Sequence, residues 1–126
     1  MANQKFYICK KCGNLIGFVD NQGVPVVCCG QKMDELVPNT VDAATEKHIP
    51  DVSVDKDSVI VKVGTDPHPM LEEHHISFVY LQTKQGGQRK KLDIGSKPEV
   101  QFKLVDDILI SVYAYCNLHG LWKKDF

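Results

Sequence analysis

Towards its C-terminal end the chain reads Tyr115-Cys116-Asn117-Leu118-His119-Gly120-Leu121-Trp122. A thiol and an imidazole thus stand three residues apart, directly after an apolar run from Ile108 to Ala114. A soft thiolate and a borderline imidazole at that spacing can converge on one transition metal. Two ligands alone do not hold it. Three more histidines lie upstream, His48, His68 and His74, and the pair gains meaning if they share its site. His68 stands between prolines in Asp66-Pro67-His68-Pro69, which restricts the backbone on both sides and fixes a loop ligand at low entropic cost. Taken singly, each histidine reads as a surface or hydrogen-bonded side chain. Taken jointly they read otherwise. Four of the five histidines fall in loops or at strand ends, with the only cysteine outside the N-terminal piece beside them. Four neutral imidazoles and one thiolate would give iron a square-pyramidal site with one position open.

A second set of ligand types occupies the first 30 residues: Cys9-x-x-Cys12, fifteen residues, then Cys28-Cys29. This is the spacing of a four-thiolate site. A Cys-x-x-Cys turn grips one ion with two sulfurs, and Gly13 and Gly30 follow each pair to permit the turn. Neighbouring side chains of an extended strand point to opposite faces, so Cys28 and Cys29 both bind only if the backbone bends between them. Tetrahedral thiolates suit zinc and iron alike. Two disulfides are the alternative, disfavoured in a reducing compartment.

The elements that must position these residues are short. In the N-terminal piece, Phe6-Tyr7-Ile8, Leu15 to Val19 and Val24 to Val27 are brief apolar segments, with Asn21-Gln22-Gly23 reading as a hairpin turn. Such a piece is too small to bury a core and needs a metal or another staple. Its end is placed at residue 38. A polar connection from Asn39 to Pro50 has room for one helical turn and carries Glu46-Lys47-His48. Strand patterns follow: Val59, Val61 and Val63 on one face; Ile76, Phe78 and Tyr80; Val100, Phe102 and Leu104; then Ile108, Ile110, Val112 and Ala114, with Cys116 in phase. Gln85-Gly86-Gly87-Gln88 reads as a hairpin loop and Gly95-Ser96-Lys97-Pro98 as a break. The class expected is mainly β, a small four-cysteine domain over 1–38 and an immunoglobulin-like antiparallel sandwich over 39–126.

Composition narrows the function classes. Hydrophobic content of 43% and charged content of 25% are those of a soluble globular protein. A formal net charge of −1 provides no global field for nucleic acid or an anionic membrane. No apolar run reaches the length of a membrane-spanning helix. The opening stretch Met-Ala-Asn-Gln-Lys-Phe-Tyr-Ile-Cys has no apolar core and no cleavage site, so a cytoplasmic location is expected. The basic stretch Lys84, Arg89, Lys90, Lys91 lacks interleaved aromatics and reads as a solvated hairpin rather than a nucleic-acid surface.

Four motifs occur in one order: Cys9-x-x-Cys12 with Cys28-Cys29, Glu46-Lys47-His48, His68-Pro69-Met70-x-x-x-His74, and Cys116-Asn117-Leu118-His119-Gly120-x-Trp122. As an ordered set they resemble desulfoferrodoxin, the two-iron superoxide reductase family, over nearly the whole chain. The resemblance implies a desulforedoxin-like (rubredoxin-like) N-terminal domain with one iron on Cys9, Cys12, Cys28 and Cys29. It implies a second, active iron with His48, His68, His74 and His119 equatorial and Cys116 axial. Glu46 then matches the carboxylate that closes the sixth position in the ferric form, and Lys47 the cation beside the open site. His75 stands where the family often has an aromatic residue and is left out of the ligand set. The implied reaction is one-electron reduction of superoxide to hydrogen peroxide. Rubredoxin or a similar small protein would supply electrons to a homodimer, with no nucleic acid and no membrane involved. A trans thiolate would push electron density onto the iron, tuned by backbone amides of Asn117 to His119. A zinc-stapled binding module would account for Cys9 to Cys29 but not for five further ligands with a flanking Glu-Lys. An electron carrier would not need an open position.

Overall fold

The computed structural model describes residues 3–126; Met1 and Ala2, the first residues of the stretch read above for export, lie outside them. The chain divides into two compact units, Met1–Val37 and Pro38–Phe126.

In the first unit the strands are only two or three residues long. β1 (Phe6–Ile8) pairs antiparallel with β2 (Leu15–Gly17), while β3 (Val27–Cys28) pairs with β4 (Gln31–Lys32), and β5 (Asp34–Glu35) returns to β1. Phe6, Cys9 and Met33 are its buried apolar side chains, whereas Val19, Val24 and Val27 stand exposed. Burial on that scale stabilises little, so a further tie is required. Asn21 does make a turn, its Oδ1 accepting the Gly23 N–H at 2.9 Å. The expected hairpin does not form around it, because β2 and β3 take other partners. Pro25 has no N–H to offer a ladder, and the pairing before Val27 is limited to the Met33 N–H on Val26 O at 2.9 Å.

The second unit begins with a single helical turn, α1 (Thr45–His48). Seven strands follow, β6 (Pro50–Asp55), β7 (Ser58–Val63), β8 (Ile76–Thr83), β9 (Gly86–Lys91), β10 (Glu99–Lys103), β11 (Leu109–Cys116) and β12 (Gly120–Asp125). They form two antiparallel sheets in the orders β10-β7-β6 and β12-β11-β8-β9. This is the expected sandwich. Val59, Val61 and Val63 of β7 and Phe102 of β10 pack against Val79, Leu81, Val112 and Ala114 of the other sheet, all buried.

Two expected face assignments break at bulges. Opposite β11, Ser77 is an extra residue in β8, since Cys116 pairs with Ile76 and Tyr115 with Phe78. Ile76 therefore joins Val79 and Leu81 in the core, while Phe78 turns to the other face and stacks on Tyr115 at 5.8 Å. At the far end Ile110 is the extra residue in β11, so Leu109 packs on the core and Ile108 is exposed. Cys116 is nevertheless in phase with Val112 and Ala114 and fully buried. The β8–β9 turn falls at Lys84-Gln85, with Gly86 and Gly87 already in the strand. A Cβ on Gly87 would overlap the Tyr80 hydroxyl. The basic stretch closes an edge of the sandwich: Gln88 Nε2 donates to Lys103 O at 2.8 Å and Lys90 Nζ to Gln101 O at 2.5 Å, both on β10.

Candidate metal centres

In the first unit the Sγ atoms of Cys9, Cys12, Cys28 and Cys29 lie within 4.8 Å of one another. The turn after Cys9 is held by the Cys9 N–H on Asn14 O and the Gly13 N–H on Cys9 O, both at 2.8 Å. The bend required between Cys28 and Cys29 is present as a left-handed Cys29 (φ 52°), followed by Gly30 (φ 76°). All five cysteines of the chain are free thiols, and the Cys12 and Cys28 sulfurs stand 3.6 Å apart, far beyond a disulfide bond of about 2.05 Å. The sulfurs compete for protons. Cys9 is held down to about 6, chiefly by the backbone N–H of Cys12, while Cys29 is pushed up to about 12 by hydrogen bonding among Cys12, Cys9 and Cys28. One thiolate forms readily and the last does not. A cation at the centre lets all four ionise together.

In the second unit α1 delivers His48, the β7–β8 connection His68 and His74, and the end of β11 Cys116, with His119 in the following turn. The donor atoms of His48, His68, His74 and Cys116 lie within 4.8 Å of one another. His119 joins them, its Nδ1 at 3.1 Å from His48 Nε2 and 3.9 Å from Cys116 Sγ. The hydrogen bonds assign the tautomers. His48 Nδ1–H donates to Ala44 O at 2.6 Å and His68 Nδ1–H to Pro69 O at 2.7 Å. Both Nε2 atoms therefore carry lone pairs, and they face each other at 3.2 Å with no proton between them. His74 Nε2 is buried without a hydrogen-bond partner among the described residues. Converging lone pairs that repel, beside an orphaned buried nitrogen, are what a cation would satisfy.

Burial holds the rings of His48, His68 and His74 below the ordinary imidazole range, His68 to about 4. They are neutral and ready to ligate at pH 7. Burial raises the Cys116 thiol, against which the N–H groups of His119 and Leu118 favour the thiolate. The His119 N–H lies 3.4 Å from the sulfur. Of the three amides expected there, that of Asn117 turns away to His75 O at 3.2 Å. His75 stays outside the set, its Nδ1–H shared between Leu71 O and Glu72 O.

Glu46 and Lys47 are exposed on α1. Glu46 is not among the converged donors; it borders a shallow cavity of about 250 Å³ with Asp51, Thr65 and Lys124. Two further contributors were given no role by the sequence, although Trp122 closes the last motif. Trp122 stacks on His48 with ring centroids 4.8 Å apart and donates its Nε1–H to His119 O at 3.0 Å. Gly64, at φ +83°, lies under α1, where a Cβ would come within 2.7 Å of the Lys47 backbone. A glycine directly after an alternating strand was the available hint.

The family model described as desulfoferrodoxin matches residues 40–125. The chain belongs to the desulfoferrodoxin family. It is 44% identical over 119 residues to a desulfoferrodoxin of Syntrophotalea carbinolica, covering 94% of each chain. The crystal structure of the superoxide reductase from Treponema pallidum superposes with a TM-score of 0.83 at 40% identity, covering 98% of this chain and all of that one. A superoxide reductase from Giardia intestinalis matches 64% of this chain and 97% of its own, with TM-score 0.56 and 30% identity. The four-cysteine unit and the histidine–cysteine cluster of this desulfoferrodoxin family member are therefore two candidate metal sites, consistent with iron.

Proposed function

We propose that this chain is a superoxide reductase with two irons, one on Cys9, Cys12, Cys28 and Cys29 and the active one on His48, His68, His74, His119 and Cys116. The observation that carries the second site is the pair of facing Nε2 lone pairs on His48 and His68, with Cys116 among the same converged donors. Bound there, ferrous iron supplies the one electron that, with two protons, takes superoxide to hydrogen peroxide, and a rubredoxin-like donor returns that electron. The chain's own residues do the rest. Ala44 O and Pro69 O hold His48 and His68 in the ligating tautomer. The His119 N–H holds charge on the Cys116 sulfur. His48 and His68 are buried while His74 and His119 are half-buried, so the His74–His119 side is the one nearer the surface. Lys47 contributes positive potential towards the anionic substrate, and Glu46, which stands outside the converged donors, would have to swing in to ligate an oxidised iron, which suits a hard carboxylate better than the reduced one. The working form is a homodimer in the cytoplasm.

Metal analysis with optical spectra of both oxidation states tests this. Two irons per chain are expected, with a visible thiolate-to-ferric band that disappears in Cys116→Ser. An unchanged oxidised spectrum in that variant would remove Cys116 from the ligand set.

A further inference from the structure

His48 and His68 are each fixed through the ring, by an Nδ1–H bond to a carbonyl. His74 is not. Its Nε2 has no partner among the described residues, and its hydrogen bonds are on its backbone, to Leu71 at 2.9 and 3.2 Å. Something else must hold this ring on target. The peptide groups on either side of His74 are held by one side chain. Asn117 Oδ1 accepts the His75 N–H at 2.8 Å, and Asn117 Nδ2 donates to Glu73 O at 3.0 Å. The Asn117 backbone N–H adds a third bond, to His75 O at 3.2 Å. Asn117 itself stands between Cys116 and His119, in the turn that carries both of those donors.

We infer that Asn117 is a positioning residue: its amide clamps the backbone on both sides of His74 to the Cys116–His119 turn, and so sets the aim of a histidine whose ring has no carbonyl anchor of its own. The amide is matched to the task. One end must accept and the other donate, at opposite peptide groups of one loop, and the amide of Asn or Gln offers both on one planar group whatever the pH. Gln is one carbon longer and would push the two segments apart. The Ser77 bulge lies between the paired strands at this end, and the strand pairing stops just beyond it, at Cys116 and Ile76. The side-chain clamp takes over where the ladder lapses.

This inference rests on the reading of the histidine–cysteine cluster as a metal centre. The test uses the full iron-loaded chain and Asn117→Ala, with Asn117→Asp as the same-sized variant that keeps the acceptor and loses the donor. Loss of a group that orients a metal ligand lowers affinity by about 10- to 100-fold. Chelator competition for ferrous ion should show that loss at the second site in Asn117→Ala, with a smaller loss in Asn117→Asp. The iron on the four cysteines should remain. The thiolate-to-ferric band should shift in position in both variants, which a mere drop in fold stability would not produce. Amide exchange of His75 in the metal-free chain should accelerate in Asn117→Ala alone. Affinity within twofold of the parent and an unmoved band in both variants would overturn the clamp. A parent chain that takes up no second metal would overturn the metal reading, and the clamp with it; the two failures are thus told apart by the parent.

Discussion

At the scale of single residues, the second site is a problem in charge and lone pairs. Buried neutral imidazoles and a buried thiol are costly without a cation and inexpensive with one. What the ligands do not provide is attraction for the substrate. With a net charge of −1 the molecule as a whole does not draw superoxide in. Local positive charge can raise association rates by about 10-fold or more, an effect that salt weakens. Lys47 is exposed and next to His48. Lys47→Ile is therefore expected to slow the bimolecular reaction with superoxide by about 10-fold and to flatten its dependence on ionic strength. Iron content and the ferric band should not change, since the ammonium is not a ligand. Pulse radiolysis across a salt series measures both quantities, and an unaltered rate and slope would leave Lys47 without a role.

At the scale of elements, α1 is a single turn that could not persist alone. It is held from below. Glu46 O accepts the Asp66 N–H at 3.0 Å and the Thr65 hydroxyl at 3.3 Å, and Gly64 N–H donates to Ile49 O at 3.1 Å. Gly64 allows this approach because it has no Cβ and sits at φ +83°. In Gly64→Ala the new methyl would lie 2.5 Å from Asp66 O and 2.7 Å from the Lys47 backbone. Backbone strain alone costs about 1–3 kcal/mol, and lifting α1 would displace His48. Urea unfolding should fall by about that much and iron at the second site should be lost first; full stability with full occupancy would refute it. Much of this scale was legible beforehand. The alternation of Val59, Val61 and Val63 and the phase of Cys116 with Ala114 follow from the two-residue period of a strand. The bulges at Ser77 and Ile110 did not follow, because an extra residue leaves no mark in a hydrophobic pattern until the partner strand is known. The ligand types at Cys116, His119 and His74 were plain in the motifs. The clamp of Asn117 and the seat at Gly64 were not, since they depend on which loops meet.

At the scale of the whole chain, the two units have different sources of stability. The sandwich has a continuous apolar core reaching across both sheets. The first unit has strands of two or three residues and few buried side chains, so its fold would depend on a metal held between its sulfurs. Cys12→Ser should remove one iron per chain and lower the stability of residues 1–38 selectively. The rate with superoxide should survive, because none of the donors at the second site is touched. Proteolysis followed by mass analysis, beside pulse radiolysis, separates the two effects. A lost rate with the second iron still bound would show that the units are not independent in function.

The stacking of Trp122 on His48 has a practical consequence for whoever handles the protein. Trp122 is the only tryptophan in the sequence, and its ring centroid lies 4.8 Å from that of His48. An excited indole so close to an open-shell ion loses its energy before it can emit. The molecule therefore carries its own lamp at the second site. Its ultraviolet emission should be dark with iron in place and bright once a chelator has stripped it. Steady-state fluorescence during a ferrous titration would then report occupancy without any added label, and an emission indifferent to iron would mean that the ion binds elsewhere.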